Sequence, residues 1–246
     1  MIRADNLHKS FGANPVLRGI SFEVAKGESL VVIGGSGTGK SVLLKCLLGL
    51  ERADSGDVTV AGLNNPSPQI LAERVGMLFQ GAALFDSLPV WQNVAFRLMR
   101  GRARLQRTEA HALAIEKLAR VGLGPKTADL FPAELSGGMQ KRVGLARAIA
   151  GDPPVLFFDE PTAGLDPIMA AVINALIREI VTELGATALT ITHDMRTVSD
   201  VADRVAMLHE GQFYWQGSTA DAFSTDDPVM RQFTQGKTEG PIATLR

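Results

Sequence analysis

The sequence predicts an α/β fold with a mostly parallel central sheet, and two kinds of segment predict it. Three runs are apolar without alternation, which is typical of strands covered on both faces: Leu30–Ile33, Val155–Phe158 and Ala188–Ile191. Helical periodicity lies between them, over Ser41–Leu50, Ala110–Val121, Lys141–Ala150 and Ala170–Leu184. Because strands that alternate with helices usually lie parallel in one sheet, we expect one such sheet at the centre of the fold.

The rest of the chain predicts an antiparallel β region before this sheet and a helical region inserted into it. Ile2–Val24 holds short alternating apolar stretches broken by turn residues, and no convincing strand lies between about 82 and 150. Two short strand-like pieces flank Glu210-Gly211 as a hairpin. The polar tail from about Gly236 is expected to need other surfaces for order. We expect a single domain over residues 1–246, with a β core at 1–81 and 151–217, a helical part at 82–150 and a C-terminal extension at 218–246.

The composition is that of a globular chain with a sizeable core. Of its 246 residues, 46% are hydrophobic and 21% are charged. The formal net charge of −1 gives no electrostatic reason to expect a nucleic acid as partner. The single cysteine, Cys46, excludes an intrachain disulfide and fits a reducing compartment. We expect no secretory signal, and no apolar run approaches the roughly 20 residues that span a bilayer, so any role at a membrane should depend on a partner.

A glycine-rich loop follows the first apolar run and precedes a helix. Its residues match the phosphate-binding pattern G-x-x-x-x-G-K-[ST]: Gly34, Gly35, Ser36, Gly37, Thr38, Gly39, Lys40 and Ser41. Successive backbone N–H groups can turn toward phosphate oxygens there, and the helix N-terminus adds its positive dipole end. Lys40 can then reach the β- and γ-phosphates, and Ser41 can coordinate Mg²⁺. A plain glycine-rich turn is the weaker alternative, because strand and helix both lie where the motif needs them.

Polar residues follow three other buried strands. Asp159 and Glu160 come directly after Val155–Phe158, at the strand end where ligands bind in open α/β sheets. Asp159 suits a direct or second-sphere contact with Mg²⁺, and Glu160 suits polarisation of an attacking water. His193 follows the next strand and could contact a γ-phosphate, whereas Gln80 ends another strand and could sense the metal or the water. A pair of surface acids and a structural histidine are the alternatives.

A second small turn of the phosphate-binding type opens another helix. Ser136-Gly137-Gly138 lies within ELSGGMQKRVGLARAIA, and from Met139 onward the sequence predicts a helix. The N-terminus of that helix would point at an anion. One chain thus carries two turns suited to nucleotide phosphates.

Together these motifs resemble an ATP-binding cassette (ABC) ATPase over essentially the whole chain. GGSGTGKS, Gln80, LSGGM, FFDEPTAGLD and His193 stand in that family's order and spacing. The resemblance implies a P-loop NTPase fold, ATP and Mg²⁺ as cofactors, and a homodimer in which two cassettes clasp two nucleotides head to tail. It implies that Ser136 and the N–H groups of Gly137 and Gly138 contact the γ-phosphate held by the partner subunit.

Two further positions take a role from the same resemblance. Phe11 stands where the family places an aromatic that stacks on adenine, although tyrosine is commoner there and a buried core phenylalanine is the alternative. Asp166, in Ala163-Gly164-Leu165-Asp166, would cross the dimer interface and couple the two sites. The last residue of the LSGGM motif is Met139, where the family commonly has glutamine. This difference should not affect contacts made through the backbone.

The segment FQGAALFDSLPVWQNVAF, residues 79–96, narrows the resemblance. It is similar to the ATPase subunits of Mla-type (maintenance of lipid asymmetry) systems, relatives of the Mce and chloroplast lipid importers. LSGGM, LDPI at 165–168 and FTQGKTEGPI at 233–242 point the same way. This resemblance implies phospholipid transport through an integral membrane permease and an MCE-domain lipid-binding protein, with room for a small regulatory subunit of the STAS type. It implies a peripheral location at the cytoplasmic face of a bacterial inner membrane and no nucleic acid partner.

Other functions for a cassette of this size stay open at the level of sequence. A cassette can power assembly of a complex such as an iron–sulphur scaffold, or serve a different transporter. Cassettes linked to translation or DNA repair usually carry tandem domains or long coiled-coil inserts, and this chain shows neither. A regulatory ATP-binding module without turnover is disfavoured because Glu160 and His193 are both present.

Overall fold

A computed structural model describes residues 1–100 and 104–243. Its strands are β1 Ile2–Phe11, β2 Asn14–Val24, β3 Ser29–Ile33, β4 Ser55–Val60, β5 Leu63–Asn64, β6 Val75–Leu78, β7 Val155–Asp159, β8 Thr187–Ile191, β9 Arg204–His209 and β10 Gln212–Ser218. Its helices are α1 Lys40–Leu47, α2 Pro68–Leu71, α3 Val90–Val94, α4 Arg107–Arg120, α5 Gly137–Ile149, α6 Pro167–Leu184, α7 Met195–Val201, α8 Thr219–Ser224 and α9 Pro228–Thr234, with 3₁₀ turns at Pro125–Asp129 and Pro132–Glu134. Parts of the predicted helical region and C-terminal extension, residues 101–103 and 244–246, lie outside the described residues.

The central sheet has six strands in the order β10-β9-β3-β8-β7-β6. All its pairings are parallel except the hairpin of β9 and β10, which turns at Glu210-Gly211 as predicted. Successive residues of a strand point to opposite faces, and each face is covered by its own apolar cluster: Val31 and Phe158 belong to one cluster, Val32 and Phe157 to the other. The buried apolar runs therefore predicted this sheet correctly.

A second, antiparallel sheet packs beside the first, with strand order β2-β1-β4-β5. The pairing of β1 with β2 runs from Ile2 opposite Val24 to Phe11 opposite Asn14, as the N-terminal pattern predicts. Its buried side chains share one apolar cluster with α1. Strands β4 and β5 were not predicted, because β4 shows alternation only at its end, where Val58 and Val60 are buried.

The stretch from 82 to 150 contains helices and 3₁₀ turns and no strand among its described residues. Asn93 in α3 is fully buried and organises the turn before that helix. Its Oδ1 accepts from the Phe85 N–H at 2.7 Å, and its Nδ2 donates to the carbonyls of Phe85 and Leu88 at 3.1 and 2.9 Å. The apolar faces of α3, α4 and α5 join the cluster on one face of the central sheet.

Helix α5 begins at Gly137, four residues before the helical periodicity that starts at Lys141 and two before Met139, where the turn motif predicts the start. Two consecutive glycines disfavour a helix in isolation. Here Ser136 caps the helix, because its Oγ accepts from the N–H of Met139 at 3.3 Å. The cap places Gly137 and Gly138 in the first turn, with their N–H groups at the end of the helix.

The tail after α9 folds back onto its own chain. The Gln232 amide donates to the Ile242 carbonyl at 3.0 Å and accepts from the Ile242 N–H at 2.6 Å. The Ile242 side chain packs against the main apolar cluster. The surface that orders residues 236–243 is therefore supplied by the same subunit. No helix in the described part of the chain is long and apolar enough to cross a membrane.

Candidate functional site

The phosphate loop connects β3 to α1 in an arrangement that requires glycine. Gly34 has a φ of 153°, and a Cβ added there would collide with the Leu208 carbonyl oxygen. Gly39 has a φ of 104°, and its Cβ would lie 3.1 Å from the Val16 carbonyl oxygen. The Thr38 hydroxyl closes the loop by donating to the Gly35 carbonyl at 3.0 Å. Gly35 is half-buried, Ser36 and Gly37 are exposed at the loop tip, and Ser41 is exposed in the first turn of α1.

Lys40 lies inside this loop with its charge uncompensated by any ion pair in the described chain. Its Nζ donates to the Gly34 and Gly35 carbonyls at 2.7 Å each, which leaves one of its three N–H donors for another acceptor. Burial lowers the pKa of Lys40, while the charges of Glu160 and Asp159 oppose that shift. A buried ammonium with a spare donor, in a loop of inward-turning amides, fits a triphosphate.

The other predicted residues follow strands next to the loop. The carboxyl ends of β3, β8, β7 and β6 are consecutive neighbours, and they lead into the phosphate loop, His193, Glu160 and Gln80 respectively. Asp159 is the last residue of β7. Ser41, Gln80 and Asp159 offer hydroxyl, amide and carboxylate oxygens, which are the ligands that Mg²⁺ prefers. The donor set thus fits the metal.

Asp159 is held in an environment that disfavours its charge. Burial, followed by the neighbouring charge of Glu160, raises the pKa of Asp159, whereas Lys141, Lys40 and Lys45 oppose the shift. A carboxylate strained in this way gains from a nearby divalent cation. The electrostatics of Asp159 and Glu160 therefore favours a divalent cation beside them over two neighbouring carboxylates alone.

Glu160 is the most tightly held of the predicted polar side chains. Its backbone has a φ of 46°, and its N–H donates to the Ile191 carbonyl at 2.8 Å. Its Oε2 accepts from the Thr192 hydroxyl at 3.1 Å, and its Oε1 lies 2.8 Å from Nδ1 of His193. The Glu160 side chain is 12% exposed and that of His193 is 66% exposed. A fixed carboxylate beside an exposed imidazole can accept a proton from water.

A buried hydroxyl network, which sequence reasoning missed, fixes the loop that carries His193. The Thr197 hydroxyl, which has one proton to donate, lies 3.0 Å from Asp194 Oδ2 and 3.2 Å from Asn174 Oδ1. The Thr162 hydroxyl lies 3.0 Å from that of Thr197. The network joins the segment after Glu160 to the segment after His193, so the two residues keep their relative position. In the sequence, the only indication of this network is that its threonines have apolar neighbours.

Lys141 is a second residue that the sequence patterns did not identify. Its buried ammonium donates to the main-chain carbonyl of Gln80 and to that of Glu160, at 3.3 Å for the latter. Gln80 itself is exposed. Burial lowers the pKa of Lys141, opposed by Asp159 and Glu160. The only signal in the sequence is that Lys141 shares a helix face with Leu145 and Ala148 at i+4 and i+7.

The second phosphate-type turn lies apart from the first. Ser136 and Gly137 are exposed, and a Cβ on Gly138 would lie 2.8 Å from Met169 Cε. Asp166 caps α6, because its Oδ1 accepts from the N–H groups of Ile168 and Met169 at 2.9 and 3.0 Å. Met169 thus brings these two turns together. Among the described residues, no hydrogen bond or ion pair joins either turn to the phosphate loop.

Phe11 lies at the end of β1 with 49% of its surface exposed. The alternative of a core phenylalanine is therefore wrong. The ring has Lys9 Nζ at 5.1 Å from its centroid and otherwise presents a face at the surface. An exposed aromatic face can stack on a planar base.

Comparisons with known proteins agree with this geometry. A family model described as ABC transporter matches residues 17–163. The chloroplastic protein trigalactosyldiacylglycerol 3 of Arabidopsis thaliana is 40% identical, over 98% of this chain and 75% of the relative. The probable ribonucleotide transport ATP-binding protein mkl of Mycobacterium bovis is 39% identical, over 98% and 68%. The methionine import ATP-binding protein MetN of Rhizobium etli is 44% identical, over 91% and 63%.

Solved structures give the same picture. A dimeric ATP-binding cassette in a post-hydrolysis state, bound to ADP and Pi, superposes with a TM-score of 0.80 at 27% identity and covers 89% of this chain and 99% of its own. A cassette of Clostridium perfringens, part of the transporter complex cbiONQ, superposes with a TM-score of 0.82 at 30% identity over 95% and 94%. The predicted P-loop NTPase fold is confirmed. This chain belongs to the ABC transporter family as an ATPase cassette, a class that binds ATP with Mg²⁺, hydrolyses ATP, dimerises and pairs with membrane permeases.

Proposed function

We propose that this chain is the ATP-hydrolysing subunit of an ABC transporter that moves phospholipids between membranes. Its partners would be a separate integral membrane permease and an MCE-domain lipid-binding protein, with a STAS-type regulator as a further candidate subunit. The location would be the cytoplasmic face of a bacterial inner membrane, and nucleic acid would not be a partner. The observation that carries the proposal is the 40% identity, over 98% of the chain, to a relative named for a diacylglycerol glycolipid.

Some relatives are named for other transported substrates, so similarity to relatives does not by itself select lipid as the cargo. One is named for ribonucleotides and another for methionine, at similar identity. The resemblance of residues 79–96 to Mla-type ATPases favours lipid. This segment contains the turn organised by Asn93 and the exposed ring of Phe85, which stacks on Phe96 with centroids 4.2 Å apart.

We infer the following roles in ATP binding. Gly34–Ser41 cradle the phosphates, Lys40 donates its third N–H to them, and Phe11 stacks on the adenine. Ser41, Gln80 and Asp159 would hold Mg²⁺, which supplies positive charge against the phosphate oxygens. Binding at the loop replaces a buried, uncompensated ammonium by an ion pair, which favours the bound state.

For hydrolysis, Glu160 is the group that accepts a proton from the attacking water. The contacts from Thr192 and His193 fix its carboxylate, so little reorganisation is needed when it does so. His193 keeps an exposed ring edge beside that carboxylate and is placed to contact the γ-phosphate. Gln80 is suited to orient the water or sense the metal.

A homodimer would complete each site. The turn Ser136–Gly138 opens a helix of 13 residues, long enough for its dipole to matter at the N-terminus. Among the described residues, no hydrogen bond or ion pair joins this turn to the phosphate loop of its own chain. By the family resemblance, the phosphate that it binds would belong to the partner subunit. Asp166, on the adjoining turn, would cross the same interface.

The permease would dock on an apolar groove beside β6. The groove, of about 230 Å³, lies between the end of α1, α2 and β6, and Leu48, Leu50, Leu71 and Met77 are among the residues that line it. Leu50 at the rim of this apolar groove is 58% exposed, so a partner that covers the groove would also bury this side chain.

Affinity purification of the tagged chain from its native membranes in mild detergent, followed by mass spectrometry of proteins and lipids, tests the proposal. We expect a polytopic permease, an MCE-domain protein and phospholipid. Leu50→Asp should lose the permease, whereas the control Phe223→Asp, at another exposed apolar side chain, on α8, should keep it. A soluble scaffold without a permease would transfer the function to assembly of a complex. A permease that copurifies with a solute-binding protein and no lipid would contradict the cargo.

A further inference from the structure

Helix α5 carries a buried cation that contacts the main chain of two residues with proposed roles in hydrolysis. Lys141 is 5% exposed, and its ammonium donates to the main-chain carbonyls of Gln80 and Glu160. Within the described chain it forms no salt bridge, whereas the similarly buried Lys117 pairs with Asp152 at 2.8 Å and Glu116 at 3.3 Å. A buried ammonium is costly unless its hydrogen bonds are satisfied, so these two carbonyls are what holds Lys141 in place.

A second cation of the same helix holds the loop that follows Gln80. The half-buried Arg147 guanidinium donates to the carbonyls of Ala82 and Ala83, at 2.6 Å for the latter. Ala82 and Ala83 have φ values of 58° and 46°, a left-handed conformation that is unfavourable for a non-glycine residue. Such a conformation persists only where its surroundings impose it. Helix α5 therefore fixes the backbone on both sides of residue 81.

The start of α5 is the turn proposed to bind the partner's phosphate. Ser136 caps the helix, and Lys141 lies only a little more than one turn further along. An α-helix is rigid over this distance. Any displacement of the Ser136 turn therefore moves Lys141 with it, and Lys141 is hydrogen-bonded to the main chain of Gln80 and Glu160, the two residues proposed above to act in hydrolysis.

We propose that Lys141 is a positioning residue for ATP hydrolysis. Because it binds the backbone carbonyls of Gln80 and Glu160 at once, it sets the spacing of those two residues and links that spacing to the position of helix α5. The proposal rests on the hydrolytic roles inferred above for Gln80 and Glu160. Engagement of the partner's ATP by the Ser136 turn then adjusts the hydrolytic groups of the same subunit. Lys141 contacts main-chain atoms only, so it acts on geometry and not on proton transfer.

Three variants of the full-length chain test this role. Lys141→Met keeps the length and apolar stem but loses the cation, Lys141→Arg keeps the cation, and Lys117→Met removes a comparably buried lysine that contacts neither Gln80 nor Glu160. The measurements are the ATP dissociation constant, kcat for phosphate release, and the ATP-dependent dimer on sizing. A melting curve verifies that each variant is folded.

We expect Lys141→Met to bind ATP within about threefold of the parent and still to dimerise, because the phosphate loop and Ser136 turn are intact. Its kcat should fall by about 10²-fold, the loss typical of a 1 Å misplacement of reacting groups. Lys141→Arg should recover most of that rate. Lys117→Met should lower the melting temperature and leave kcat within about twofold. If the methionine variant does not fold, Lys141→Gln, whose amide reaches one carbonyl, takes its place.

A folded Lys141→Met or Lys141→Gln protein with kcat near that of the parent would overturn the proposal. A fall in ATP affinity that matches the fall in kcat would do the same, because a positioning role affects the reaction and not binding. The Glu160→Gln variant is measured in parallel. If that variant hydrolyses ATP normally, the roles given to the hydrolytic residues are wrong, whatever Lys141 does.

Discussion

Glu160→Gln is the substitution that tests the hydrolytic site most directly. The amide has nearly the same shape as the carboxylate, and its oxygen can still accept from the Thr192 hydroxyl, now 3.1 Å from Oε2. The adjacent Asp159 has its pKa raised partly by the charge of Glu160. Removing that charge relieves a repulsion, so the variant should be folded and at least as stable as the parent. What it loses is the ability to take a proton from water.

The expected loss of rate follows from that single missing function. A positioned general base contributes about 10²–10⁴-fold. Each tenfold change corresponds to about 1.4 kcal/mol, so the barrier should rise by roughly 3–5 kcal/mol. ATP affinity should stay within about threefold, because Lys40 and the loop amides are untouched. Phosphate release at saturating ATP and equilibrium nucleotide binding measure the two quantities separately.

Glu183→Gln is a suitable control, since it makes the same chemical change at a surface ion pair with Arg120. Exposed pairs contribute about 0–1 kcal/mol to stability, so this control should leave both kcat and affinity unchanged. If Glu160→Gln retained turnover within about threefold of the parent, Glu160 would not be the base. The geometry around it would then need another explanation, such as support of the loop that carries His193.

Three further predictions concern the loop, the dimer and the metal. Lys40→Ala should lose nucleotide binding, seen as loss of ATP-induced thermal stabilisation, while Lys45→Ala on the exposed side of α1 should keep it. Ser136→Arg should bind ATP as a monomer but fail to form the ATP-dependent dimer on sizing, and a normal dimer would contradict the trans site. Asp159→Asn should raise the melting temperature without nucleotide at pH 7, because the folded-state pKa of Asp159 is raised. The contribution of the Asp159 carboxyl to folding stability is fully present below its ordinary pKa and is lost as pH rises through its folded-state pKa. The gain in melting temperature of the variant should therefore vanish below about pH 4. The stabilisation of the variant by Mg²⁺-ATP should be smaller than that of the parent.

The parts of the fold that sequence predicts are those set by local pattern. The apolar runs of β3, β7 and β8 specify strands buried on both faces, and the phosphate loop is specified by glycines, of which Gly34 and Gly39 disfavour any side chain. Helical periodicity predicts that α5 begins at Lys141, and the turn motif predicts Met139; both lie after the observed start at Gly137. Its true start depends on a hydroxyl cap at Ser136, which a propensity argument undervalues.

The parts that sequence does not predict depend on partners far away in the chain. Strand β4 is specified by pairing with β1, which lies about fifty residues earlier in the chain, as in the pair of Asp5 with Asp57. Lys141 reads as a solvent-exposed helix lysine, yet its acceptors are carbonyls 61 and 19 residues away. Ala82 and Ala83 have no pattern that signals a left-handed backbone, since alanine favours helix. Their conformation is imposed by a guanidinium contributed by α5.

These unpredicted contacts connect what the predicted motifs leave separate. The motifs predict one turn for the chain's own ATP and a second turn that, among the described residues, has no hydrogen bond or ion pair to the phosphate loop. The two turns account for nucleotide binding, but they do not explain when hydrolysis occurs. The connection runs through α5: its N-terminus carries Ser136, and Lys141 on its buried face is bonded to Gln80 and Glu160. If the proposed roles of Ser136 and Lys141 are correct, a phosphate that a second subunit presents to the Ser136 turn would give the helix a new contact and could thereby adjust the placement of Gln80 and Glu160. We therefore expect hydrolysis to depend on dimer formation.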